Sequence, residues 1–180
     1  MHGLLLCLVA FSPAQTRDSL YIADPLPSLE AESHPAPGAP ATHVAERVSF
    51  RTQFGLRLPA ILYLPRNVTG KVPAIVSVNG AGTGFFREGA ALLAYDLVIA
   101  PRPPLTPRQE GLHVVAVLQA FAYLGQRPEI DRAHISAVGP KAMAAACDIE
   151  PRLESCTAGE PAGPKAAMPI RELRRFDATT

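Results

Sequence analysis

Charge of one sign is what this sequence has little of. Lysine and arginine number 17 against 16 aspartates and glutamates, a formal net charge of +1. No long-range field draws in a nucleic-acid backbone or an anionic membrane surface, so neither is expected as a partner. Arg171, Arg174 and Arg175 stand at helical spacing, and they read as a solvated helix face rather than a phosphate site. Metal spacing is also missing: the five histidines are scattered, with no His-x-x-x-His and no Cys-x-x-Cys, so no metal site is expected. Cysteine is limited to Cys7, Cys147 and Cys156. The last two are expected as buried free thiols, with a bridge only if geometry allows.

What is present is the composition of a globular chain, 48% hydrophobic and 18% charged over 180 residues, long enough for one domain with one core. Gly3 to Phe11 is a short apolar run of the length of a signal-peptide core, followed by Ser12, Pro13, Ala14 and Gln15. It is too short to span a bilayer. Residues 1–15 are therefore read as an export signal, which implies a secreted or periplasmic chain with no membrane segment once matured. Without cleavage the location would be cytoplasmic. Asn67-Val68-Thr69 matches a glycosylation acceptor, a short motif that arises by chance and carries no weight here.

Five prolines between Leu20 and Thr42 mark residues 16–43 as a Pro-rich linker or extended arm. Alternation of apolar and polar residues begins near Val48, breaks at Phe54-Gly55 and resumes from Leu56 to Leu64, which predicts an antiparallel hairpin. Val72 to Val78 and Ala90 to Ala100 read as strands buried on both faces. Between Arg108 and Gln126, Leu112, Val115, Leu118, Ala122 and Tyr123 recur at helical spacing, and Gly125 and Pro128 end the helix. His134 to Val138 predicts a short strand, Ala142 to Asp148 a short helix and Leu153 to Ala158 a last strand. The fold class is thus α/β, a mixed sheet with an N-terminal antiparallel hairpin and then parallel strands with helices. It occupies residues 44–160, and residues 161–180 form a tail or short helix. Ligands of such sheets sit beyond the carboxyl ends of parallel strands, at Asn79 to Gly84, Asp96 to Pro101 and Gly139 to Met143.

The hairpin leading to Leu62-Tyr63-Leu64-Pro65, the strand and turn Val72 to Gly82, the strand Gly89 to Asp96 and the segment Tyr123 to Gly139 (YLGQRPEIDRAHISAVG) resemble a known group. They are similar to bacterial α/β-hydrolases of the acetyl-xylan-esterase, dienelactone-hydrolase and prolyl-oligopeptidase-like kind. The likeness runs from Glu46 to Gly159 and makes the chain a partial α/β-hydrolase-like domain. It implies a carboxylic ester or peptide as ligand and neither cofactor nor metal. It also implies an oxyanion loop at Gly80, Ala81 and Gly82, whose backbone amides would face a substrate carbonyl oxygen.

The catalytic part of the likeness fails. In that group a Gly-x-Ser-x-Gly elbow holds out the nucleophile, because attack on a carbonyl needs an exposed serine oxygen on a tight turn. Here Gly139 matches the first glycine, Lys141 takes the serine position and Met143 that of the second glycine. A lysine would need a strongly lowered pKa to attack, and a solvated lysine at a helix start is the plainer reading. Ser136 and Ser155 fall within strands, His113 on the long helix and His134 at a strand start, all read as structural or surface residues. No histidine follows His134 in this chain, so no downstream base completes a relay. The crossover between Val78 and Ala90 is short for a helix, and a sheet that stops early leaves an open edge for self-association and an uncovered apolar face. Three readings stay open: a degenerate or truncated hydrolase relative without serine-hydrolase activity, an active esterase with a rearranged or subunit-completed site, and a non-enzymatic binding protein or fragment with no settled function.

Overall fold

The computed structural model describes residues 12–78, 87–95, 106–139 and 143–158. In chain order these contain helix α1 (Pro13–Ser19), strands β1 (Glu32–Ala36), β2 (His43–Arg51), β3 (Arg57–Pro65), β4 (Val72–Val78) and β5 (Ala91–Tyr95), helix α2 (Pro107–Gln126), strand β6 (Ile130–Gly139), helix α3 (Ala144–Ile149) and strand β7 (Ser155–Ala158). Among the described residues the strands make one mixed sheet, ordered β1-β2-β3-β5-β4-β6-β7. Strands β1, β2, β3 and β5 pair antiparallel in that succession. Strands β5, β4, β6 and β7 pair parallel.

The β2–β3 hairpin closes where the alternation breaks. A short 3₁₀ turn spans Gln53–Gly55, with Phe54 at φ 61° and Gly55 at φ 73°. Strand β4 carries Pro73, whose missing amide would interrupt a central ladder. The pairing with β6 shifts at that point, from Val72 opposite Ile130 to Ala74 opposite Ile135, so the proline sits at an irregularity where no ladder donor is required. The extra residues of β6, Asp131 to His134, are held by Asp131 itself: its carboxylate accepts from the Ala133 amide at 3.1 Å and lies 2.9 Å from His134 Nδ1. Strand β6 is therefore longer than the His134 to Val138 stretch expected from the sequence. Of the expected strand Ala90 to Ala100, Ala91–Tyr95 is strand, and residues 96–100 lie outside the described residues.

Helix α2 begins at a capping box in which Thr106 accepts from the Gln109 amide and the Gln109 side chain accepts from the Thr106 amide, with Pro107 in the first turn. Its residues from Val114 to Val117, with Ala120 and Leu124, are fully buried. They join alternate residues of β2 to β6 in the main core, which α3 completes through Ala146 and Ile149. The opposite sheet face holds a smaller cluster, Ala45, Ile61, Tyr63, Ile75, Leu92 and Ala94. Those six are all buried, Leu92 to 1% and Ala94 to 0% exposure, so the second apolar face is not bare as the shortened scaffold suggested.

Two expectations are corrected. Residues 16–43 are not a detached arm. Ser12-Pro13-Ala14-Gln15 forms the same kind of capping box as Thr106 to Gln109 and starts α1, Ile22 enters the core with Leu20, Leu26 and Leu29 packed against it, and β1 adds a strand to the sheet. The prolines are tolerated because Pro35 sits on an edge strand and the rest lie between elements. Cys147 and Cys156 are not free thiols but a disulfide, with α carbons 5.9 Å apart. The register of β7 beside β6 brings Cys156 under α3, a proximity that spacing in the sequence does not reveal. The outer edge of β7 has no strand partner among the described residues, and no helix there is long and apolar enough to cross a membrane.

Candidate functional site at the carboxyl edge of the sheet

From β4 the chain moves to β5 on one side, and from β6 to β7 on the other. The carboxyl ends of β4 and β6 are thus the point where successive connections diverge, the place where open α/β sheets leave a crevice. Ser77 stands opposite Val138, so Val78 and Gly139 end the two strands side by side. Both are buried. Gly139 is required there by space: an added β carbon would collide with Met143 Sδ and lie 2.8 Å from Val78 Cβ and 3.2 Å from the Val78 carbonyl oxygen. Met143 is itself 1% exposed. Its thioether fills the room over Gly139, where a second elbow glycine would have left a gap. The structure therefore brings Gly139 and Met143 together, while Lys141 and the loop candidates Gly80, Ala81 and Gly82 lie outside the described residues.

Neither His113 nor His134 forms part of a relay among the described residues. His134 is half exposed and hydrogen-bonded to Asp131, which holds its pKa above the usual imidazole value. His113 is 3% exposed on α2, and burial pushes its pKa down, favouring the neutral ring. Ser136 donates to Glu154 at 3.1 Å. Two polar groups at this edge escaped the sequence reading as site candidates. The Tyr95 hydroxyl and His113 Nδ1 are buried without a hydrogen-bond partner among the described residues. Tyr95 ends β5, its pKa driven well up by burial, and His113 lies on the second turn of α2, which starts on the same side of the sheet. Each leaves an unsatisfied hydrogen-bonding atom in the layer between α2 and the strands. A tyrosine in the otherwise aliphatic run Ala91–Tyr95 was the only signal for the first.

The first part of the segment that carried most of the family likeness, Tyr123 to Glu129, lies at the opposite end of β6 from Gly139. Arg127 joins α2 to β6 and makes two hydrogen bonds of 2.9 Å to the Glu46 carboxylate, with further bonds to Glu129 and to the Tyr123 hydroxyl. Ser33 of β1 donates to Glu46 at 2.5 Å. Burial would raise the Glu46 pKa, but the bonds from Arg127 and Ser33 outweigh it and hold the carboxyl below its ordinary value. Tyr123, Arg127 and Glu129 thus clamp arm, hairpin and helix at the amino ends of the parallel strands, remote from the crevice. Their role is architectural.

Solved structures share this fold. Acetyl xylan esterase 1 from Thermoanaerobacterium sp. JW/SL YS485 superposes with a TM-score of 0.57 at 15% identity, over 78% of this chain and 55% of that one. Acetyl xylan esterase from Paenibacillus sp. R4 gives 0.59 at 15% identity over 93% and 67%. Glucuronoyl esterase from Solibacter usitatus gives 0.56 at 13% identity over 79% and 56%. The fold is α/β-hydrolase-like. No protein-family model and no curated protein sequence matches the chain. The chain spans about half the length of the first of these esterases. In this α/β-hydrolase-like sheet Gly139 ends β6 at the carboxyl edge, where the sequence reading looked for a ligand.

Proposed function

We propose that the chain is a carboxylic-ester-binding relative of the esterases that carries out no serine-dependent turnover. One observation carries this reading: Gly139 ends β6 packed tightly against Val78, Lys141 follows it in the sequence, and the buried Met143 side chain fills the space beside it. A nucleophile elbow needs a small residue where Met143 stands and a hydroxyl where Lys141 stands. The alternative, an active esterase with a rearranged or subunit-completed site, predicts the opposite outcome in one assay. The purified chain is treated with a fluorophosphonate probe, native and heat-denatured, and the modified peptide is located by mass spectrometry. No heat-sensitive labelling is expected. Labelling at Ser136, Ser155 or any other serine that is lost on denaturation identifies a nucleophile and overturns the reading.

We further infer that the protein works in an oxidising compartment, secreted or periplasmic. The Cys147–Cys156 disulfide supports this, since such bonds persist outside the reducing cytosol. Chain recovered from its native cells and alkylated without reductant should leave Cys147 and Cys156 unmodified. Two alkyl adducts at these positions would place it in a reducing compartment instead.

A further inference from the structure

Five large apolar side chains are exposed among the described residues; Phe54 and Leu56 lie at the β2–β3 hairpin tip, and the chain on either side of Tyr21 packs beside that tip and α2. Strand β3 runs antiparallel to β5 with Ala60 opposite Tyr95, so the hairpin tip at Gln53–Gly55 projects beyond the carboxyl end of β5. Helix α2 starts on that side and sets the Arg108 guanidinium 4.5 Å from the centroid of the Phe54 ring. Tyr21 belongs to the same corner. The preceding carbonyl, of Leu20, lies against Gly111 one turn into α2, and the Ala23 amide donates to Gln53 at 3.3 Å.

Two features set this corner apart from ordinary surface. Tyr21 and Phe54 hold φ values of 57° and 61°, a left-handed conformation that costs a bulky residue about 1–2 kcal/mol and suits glycine or asparagine. Both rings are nevertheless in solvent, 64% and 54% exposed, so core burial does not offset that cost. The second feature is charge. Arg17, Arg51 and Arg57 at this end each hold a carboxylate, Asp24 at 3.8 Å, Glu30 at 2.8 Å and Glu32 at 3.1 Å. Arg108 has no carboxylate partner among the described residues.

We propose that Tyr21, Phe54, Leu56 and Arg108 form a binding site for an aromatic carboxylate, beside the crevice at the carboxyl edge. The exposed rings and Leu56 take the flat apolar body, and the Arg108 guanidinium, which has no carboxylate partner among the described residues, takes the carboxylate, for which its forked donors are matched. This deepens the ester-binding reading and rests on it: the ligand is the free aromatic acid of the ester class proposed above, taken as its carboxylate and not released by this chain.

Cinnamate titrated into the full chain, followed by amide chemical shifts, tests the site. Saturable shifts are expected at Tyr21, Phe54 to Leu56 and Arg108, with benzylammonium and acetate binding at least about tenfold more weakly, since each lacks one of the two recognised features. Phe54→Asn should weaken cinnamate about tenfold or more while leaving the melting temperature unchanged or raised, because asparagine accepts the left-handed backbone. Arg108→Gln should weaken it similarly. The proposal is overturned by absent or unsaturable binding, by equal binding of benzylammonium, by an unaffected Phe54→Asn, or by a fall in stability of that variant, which would make the Phe54–Arg108 stack merely structural. Methyl cinnamate is the second arm. Ester-induced shifts at Val78 and Gly139 without cinnamate shifts at the corner would sink this site and leave the ester-binding reading standing; corner binding of cinnamate without any ester response at Val78 and Gly139 would sink the ester-binding reading alone.

Discussion

Arg127→Ala is expected to lower the unfolding free energy by about 3 kcal/mol at neutral pH, the low end of the cost of breaking a buried pair. The low end applies because the Arg127 and Glu46 side chains are each 22% exposed and solvent screens part of their attraction. Arg127 is in contact with both Glu46 and Glu129, so its removal takes away the guanidinium and leaves Glu46 half-buried with the Ser33 bond. The effect has a definite pH dependence. In the intact protein the Glu46 pKa is held below the ordinary value of 4.5. Its contribution is fully present above that unfolded value and disappears as pH falls through the folded pKa. In the variant only burial and the serine bond remain, burial being the largest influence, and the folded pKa moves upward. Ionised Glu46 then costs stability at neutral pH, a cost relieved by protonation. The gap between the two proteins should therefore be widest near pH 7 and narrow steadily toward pH 3, as measured by urea unfolding at a series of pH values. A gap that stays constant with pH would mean that the loss comes from the packing of the Arg127 stem over Tyr123 and not from charge.

That clamp also shows what the sequence could and could not disclose. The segment from Tyr123 to Gly139 was the most recognisable stretch of the chain, and its first part, Tyr123 to Glu129, is a clamp between elements at the end of the sheet away from Gly139. A motif can be distinctive because several elements must meet at one arginine. The hairpin and α2 were legible because their apolar positions recur with a period of two or of 3.6, and β4 because it is a continuous apolar run; burial goes further than the pattern in α2, where every residue from His113 to Phe121 is buried. Helix α1 buries none of its residues and β1 is almost wholly exposed, so neither left a periodic trace. Proline density then pointed to a linker. The two capping boxes were written in the sequence all the same, as Ser-Pro-Ala-Gln and Thr-Pro-Arg-Gln, a local signal that does not depend on burial. The disulfide was illegible for another reason. Cys147 and Cys156 are nine residues apart, a spacing that fits a bridge or two thiols equally well until β7 is known to pair with β6. At the candidate site Gly139 and Met143 were picked from a family pattern, and the structure supplies the reason they matter together. The spare hydrogen-bonding atoms of Tyr95 and His113 come from three-dimensional burial and had no counterpart in the pattern.

Gly139→Val should cost about 3 kcal/mol, the upper end of the usual penalty for overpacking a tight site. The first added carbon already meets two obstacles of different kinds. Met143 Sδ ends a flexible side chain and can move, whereas Val78 Cβ at 2.8 Å and its carbonyl oxygen at 3.2 Å belong to the central strand and can yield only by shifting β4 against β6. Valine adds two methyl groups to that conflict. A double-mutant cycle separates the contributions. Met143→Ala alone should be destabilising, by about 2–3 kcal/mol, because its side chain is 1% exposed and fills the core. Combined with Gly139→Val, it should recover part of the valine penalty, giving a coupling of about 1 kcal/mol or more. Strict additivity would mean that the clash with β4 dominates and that Met143 does not fill the elbow space. The coupled result would support the central feature of the proposed function: the room that a serine elbow requires beside Gly139 is occupied by a methionine that the fold has come to depend on.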